Sequence, residues 1–76
     1  MQEIFIKTEY ITLGQFLKFT NIIEIGSLAK EYINENEIIV NNDVEKRRGR
    51  KLYDGYILVV NNTKYQIKNS KENENV

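Results

Sequence analysis

A chain of 76 residues has room for one domain around one modest core. With no cysteine and no histidine, it lacks the residues for a disulfide framework, a thiolate metal site or an imidazole proton shuttle. Eleven basic and eleven acidic side chains cancel in formal charge, yet they are unevenly spread. Residues 1–45 carry three basic groups against eight acidic ones, a balance of −5, and residues 46–76 carry eight against three, a balance of +5. A split of that kind makes a local field that the total hides. No apolar run approaches the roughly 20 residues that cross a bilayer. The start, Met1-Gln2-Glu3-Ile4-Phe5-Ile6-Lys7, lacks the basic-then-apolar order of a signal peptide. The expected location is cytoplasmic.

Ile4-Phe5-Ile6-Lys7 reads as a first strand, rich in β-branched and aromatic residues. A helix should start at Thr12, because Thr12 and Gln15 have capping-box spacing, with Ile11 and Phe16 placed as a hydrophobic staple. Leu13, Phe16 and Leu17 then form a buried i, i+3, i+4 stripe, leaving Gln15 and Lys18 toward water. Asn21 to Gly26 reads as a connection, and Ser27 as the cap of a second helix whose buried stripe is Ala29, Tyr32 and Ile33. Asn34 and Asn36 are the expected helix-ending residues, since asparagine accepts left-handed torsions. Ile38-Ile39-Val40 is a strand, Asn41-Asn42-Asp43 a turn, and Val44 begins the return. After a second turn at Tyr53-Asp54-Gly55 comes the most apolar strand, Tyr56-Ile57-Leu58-Val59-Val60. Asn61-Asn62 should close a hairpin onto Thr63–Lys68, where Tyr65 and Ile67 alternate with polar residues. Residues 1–68 are expected to form the single domain, and 69–76, without apolar periodicity, a disordered tail.

Between the two turns lies Lys46-Arg47-Arg48-Gly49-Arg50-Lys51, five fixed positive charges and a glycine. Guanidinium groups are planar, permanently charged forks that match phosphate oxygens two at a time. Held between strands, the run is expected to be the electrostatic half of an RNA-binding surface. The blander reading is a solvated loop whose charges pair with the acidic N-terminal half. Gly49 either lets the backbone approach a phosphate or simply makes the turn. Tyr53 and Tyr56 either stack on an unpaired base or pack within the fold, packing being favoured. Tyr32, Phe16 and Phe19 are read as core or partly core, and Glu35, Glu37, Asp43 and Glu45 as scattered, solvated acids.

Taken together, Thr12-Leu13-Gly14-Gln15-Phe16-Leu17-Lys18, Ala29-Lys30-Glu31-Tyr32-Ile33, Val40-Asn41-Asn42 and Arg47-Arg48-Gly49-Arg50-Lys51-Leu52-Tyr53 with Gly55 resemble the S-four-like RNA-binding domain, named after small-subunit ribosomal protein four. The likeness covers about residues 3 to 60 and is strongest to the small stand-alone bacterial members of YaaA type. It implies an α+β fold, with a two-helix αL RNA-binding motif packed on a small, mainly antiparallel sheet of four or five short strands. It also implies that Lys18, Lys30, Arg47, Arg48, Gly49, Arg50 and Lys51 present the RNA-binding surface. Many family members open the first helix with an arginine and a nearby lysine; here those places hold Thr12 and Gln15, which shifts the burden to the loop.

The partner implied is structured RNA, ribosomal RNA foremost, in a ribosome-associated setting that includes ribosomal proteins. No membrane, small-molecule substrate, cofactor, metal or catalytic residue is expected, and the protein should not be an enzyme. The competing readings are an adaptor whose basic edge meets an acidic protein, and a nonspecific nucleic-acid binder that also takes DNA.

Overall fold

The computed structural model describes residues 1–70. Strand β1 spans Gln2–Ile6 and β2 Tyr10–Thr12; helix α1 is Leu13–Phe19. A 3-10 turn, Gly26–Leu28, runs into helix α2, Ala29–Glu35. The remaining strands are β3 (Ile38–Val40), β4 (Asp43–Val44), β5 (Lys51–Tyr53), β6 (Ile57–Val60) and β7 (Thr63–Asn69). Five strands form one sheet in the order β1-β7-β6-β3-β4, antiparallel except where β1 lies parallel to β7. β2 and β5 form a separate antiparallel pair. The architecture is α+β, as expected.

Local chemistry explains most of the boundaries. Thr12 caps α1 with the full reciprocal box: its hydroxyl accepts from the Gln15 N–H (3.2 Å), and the Gln15 side chain accepts from the Thr12 N–H (2.8 Å). Two hairpins use the same device. Asn41 and Asn42 (φ 50° and 74°) join β3 to β4, and Asn61 and Asn62 (φ 51° and 62°) join β6 to β7. Two successive positive φ values give the mirror-image turn whose twist suits antiparallel strands, and asparagine reaches it at less strain than other non-glycine residues. Val40 pairs with Asp43, so the first turn holds two residues rather than the expected three, and Asp43 belongs to the return strand.

The core draws on every layer. Leu13, Phe16 and Leu17 from α1, Ala29 and Ile33 from α2, and Ile38, Val40, Leu52, Leu58, Val60, Tyr65 and Ile67 from the strands are buried. Phe16 meets the Tyr65 ring edge-on at 5.2 Å between centroids. Each large aliphatic side chain taken fully from water contributes about 1.5–3 kcal/mol.

Some expectations need correcting. Ser27 does not cap the second helix. It lies inside the 3-10 turn, and α2 begins without a side-chain cap. Asn36 ends α2 in an extended conformation (φ −131°) rather than a left-handed one, its side-chain amide donating to the Tyr32 carbonyl at 3.0 Å. Phe19 is not core: it is 62% exposed. Tyr32, by contrast, is partly buried against the core as expected, its hydroxyl accepting from the Asn61 amide (2.8 Å). Residues 69 and 70, expected in the tail, are ordered by contacts with the fold. Asn69 closes β7, its N–H donating to Asp54 (2.7 Å), and the Ser70 hydroxyl donates to the Ile6 carbonyl (3.1 Å). The rest of the expected disordered tail, 71–76, lies outside the described residues.

Candidate nucleic-acid interface

The basic loop is built outward from one carboxylate. The Glu45 N–H donates to the Ile38 carbonyl (2.9 Å), which carries the β3–β4 pairing one residue further. Its side chain then turns back over the chain that follows. It accepts from the Lys46 N–H (3.2 Å), the Arg47 N–H (3.0 Å), Arg47 Nε (3.0 Å) and Nη2 (3.2 Å), and Arg50 Nη1 (2.7 Å). Arg47 is thus gripped fork to fork, the strongest geometry available to an arginine–carboxylate pair. Glu45 is only 5% exposed, so it needs these partners. The Arg47 hydrogen bonds hold its pKa down at about 2 from an ordinary 4.5, against the opposing pull of burial, with Arg50 assisting. In return, hydrogen bonding to Glu45 holds both guanidiniums more firmly in the charged form.

Two further ties fix the loop to the helices. Lys46 Nζ donates to the Ile33 carbonyl (3.2 Å) in the last turn of α2, where a cation complements the partial negative charge of a helix end. The Arg50 and Arg48 carbonyls accept from the Leu13 and Gly14 N–H groups at 2.8 and 2.9 Å. These are N–H groups at the start of α1 that have no partner within the helix. Gly14 marks the meeting point. A Cβ there would stand 3.5 Å from both the Ala29 Cβ and the Arg48 carbonyl oxygen, so α1, α2 and the loop converge on it.

The residues singled out from sequence fall into two groups. Arg47, Gly49, Arg50 and Lys51 line an open recess of about 530 Å³ together with Tyr53 and Tyr56. Arg48 is not part of that lining; its carbonyl and Cβ lie beside Gly14 at the helix junction. Lys18 stands one turn beyond Gly14 on α1, hence on the face that Gly14 presents to Arg48 and Ala29, and Lys30 follows Ala29 in the first turn of α2. Lys18, Lys30 and Arg48 are all exposed. Among the described residues their side chains make no hydrogen bond or ion pair.

The blander reading of the loop is met at one place. Arg47 and Arg50 do pair with an acid of the N-terminal half, and that acid, Glu45, is buried rather than solvated as expected. One carboxylate cannot neutralise two guanidiniums, and the Arg47 side chain remains 73% exposed. Arg50 is the correction: its side chain is 27% exposed, held between Glu45 and the Tyr56 ring. Sequence reasoning missed Glu45 as the organiser, although an acid at i−2 and i−5 from two arginines was the available signal. It also missed Tyr10, which the short β2 brings against Tyr53 (5.6 Å between ring centroids) and beneath the Lys51 ammonium (4.9 Å). Glu45 forms no acidic cluster: among the described residues no three acidic side chains gather in a way that would hold a metal ion. No helix is long and apolar enough to cross a membrane, again among the described residues.

Two helices meeting a glycine-bearing basic loop beside a small sheet is the arrangement that the sequence likeness implied. The sequence profile of the family described as "S4 domain" matches residues 4–68, and the chain belongs to that family. Among curated proteins, one from Bacillus subtilis (strain 168) named "Probable ribosome maturation protein RlbA" is 49% identical over 55 residues, covering 72% of this chain and 78% of the relative.

Proposed function

We propose that this protein is an RNA-binding module that docks on structured ribosomal RNA in a maturing ribosomal particle. Contact runs through the 46–51 loop and the adjoining helix faces. The observation that carries the reading is the loop's rigidity: Glu45 and the start of α1 fix its backbone, while Arg48, Lys51 and most of Arg47 stay open to solvent. Charges set in place before the ligand arrives lose less entropy on binding than a flexible basic tail would. Lys18 and Lys30 extend the same cationic surface across the two helices. The S4 family membership and the name of the Bacillus relative point the same way. Contacts of this kind go to phosphates and give position rather than sequence preference. Recognition then rests on the shape of the folded RNA and its 2′-hydroxyls.

The test uses Lys18→Ala, Lys30→Ala and Arg48→Ala combined. These side chains leave the Glu45 clamp untouched, so the fold should survive. Each phosphate that the protein no longer neutralises lowers the slope of log affinity against log salt by roughly 0.7–0.9. The triple variant, titrated with a structured ribosomal RNA fragment, should therefore lose about two units of slope. An unchanged affinity and slope would remove the helix faces and Arg48 from the interface.

A further inference from the structure

We propose that the recess between the basic loop and the tyrosines is a subsite for one unpaired nucleotide, its base stacked on Tyr53 and Tyr56 and its phosphate held by Arg47 and Lys51. The inference rests on the RNA-binding reading and adds to it what kind of RNA feature the protein takes.

Size is the first constraint. The recess is shallow and open, about 530 Å³, wide enough for a single nucleotide laid against its wall. The phosphate run of an intact duplex follows a convex surface and has no single group to fill a hollow; a nucleotide turned out of its helix does. The walls then decide the chemistry. Tyr53 and Tyr56 are each partly buried and stand edge to face, with ring centroids 5.7 Å apart, and Tyr10 packs against Tyr53 at 5.6 Å. An unpaired base stacks on such rings whatever its identity, because every base has a π face. The Arg50 guanidinium lies over one face of the Tyr56 ring, 5.6 Å from its centroid, so a base on that side meets a planar guanidinium and one on the other side meets the ring. Among the described residues no acidic side chain lines the recess itself, and the Glu45 carboxylate is shared between Arg47 and Arg50. Glu45 fixes Arg47 and Arg50 from beneath, which sets the distance between cation and ring in advance.

Two hairpin RNAs test this, identical except that one carries a single bulged adenosine, each titrated at physiological salt. In a parallel sample the bulged base is 2-aminopurine, whose fluorescence falls on stacking. The protein should bind the bulged hairpin roughly tenfold more tightly than the paired one, with quenching of the 2-aminopurine. Tyr56→Leu should abolish the preference and the quenching while leaving affinity for the paired hairpin and its salt slope as they were. Tyr56→Phe, which keeps the ring, should restore both, and this excludes a folding defect as the cause. Equal binding of the two hairpins without quenching would overturn the subsite and leave the RNA-binding reading standing. Failure to bind either hairpin while the ribosomal RNA fragment is bound would overturn the subsite alone, and failure to bind all three would overturn both.

Discussion

Glu45 does for this loop what a metal ion does in other small binding modules: one buried charge draws several chain segments to fixed positions. Its depressed pKa couples that role to pH. A carboxylate whose folded pKa lies below its ordinary value contributes fully above the ordinary value and loses its contribution as pH falls through the folded one. The stability difference between the native protein and Glu45→Gln should therefore be constant above pH 4.5 and shrink as pH falls toward about 2. Urea unfolding of both across that range reads it directly; a difference that persists unchanged to the acid end would show that the charge of Glu45 contributes nothing. At neutral pH the substitution should cost about 1–3 kcal/mol, the worth of buried hydrogen bonds to a charged group. Neighbouring arginines should separate sharply. Arg50→Lys loses the planar guanidinium that bonds Glu45 at 2.7 Å and lies over Tyr56 and should destabilise the fold measurably, whereas Arg48→Lys keeps charge at an open position and should leave the unfolding free energy within about 0.5 kcal/mol of its native value.

Capping and turn chemistry carry the elements, and they were the most readable part of the chain. Thr12 and Gln15 announce α1 through a three-residue spacing, and the asparagine pairs announce both hairpins, because each device acts within a few residues. Thr12→Ala should cost about 1 kcal/mol, measured by chemical denaturation. At Asn42 (φ 74°), glycine should be tolerated or slightly stabilising, whereas valine should cost more than about 1 kcal/mol, since a β-branched side chain is strained in that region. Equal stability of Asn42→Gly and Asn42→Val would refute the account of the turn. What stayed hidden is equally instructive. β2 has three residues, and only its pairing with Lys51–Tyr53 makes it a strand. The end of α2 was placed correctly through Asn36, but for a side-chain bond to Tyr32 that a propensity for left-handed torsions does not contain. Glu45 stood in a charged stretch where acids are ordinarily wet, and only the folded return of β4 puts it under two arginines.

For the molecule as a whole, a single core spans both helices and the main sheet, so damage anywhere in it should reach the interface. Leu58 is fully buried in β6, and Leu58→Ala should remove about 2–5 kcal/mol, a large share of the roughly 5–15 kcal/mol that holds a domain folded. Calorimetry should show a fall in Tm of well over about 4 °C. The pairing that closes the sheet was the least legible feature. Ile4 sits opposite Ile67, and Gln2 opposite Tyr65, in parallel register; nothing local in either segment names so distant a partner. That pairing also orders events in time. During synthesis β1 emerges early and must wait, on the order of seconds at ordinary elongation rates, before residues 63–69 exist to receive it. Until then Ile4 and Ile6, which the finished core takes in, have no complete site to dock in, and the nascent chain stays open to chaperones and proteases. A fold that completes only when β1 and β7 meet cannot take hold of an RNA through a finished surface until β7 has been made.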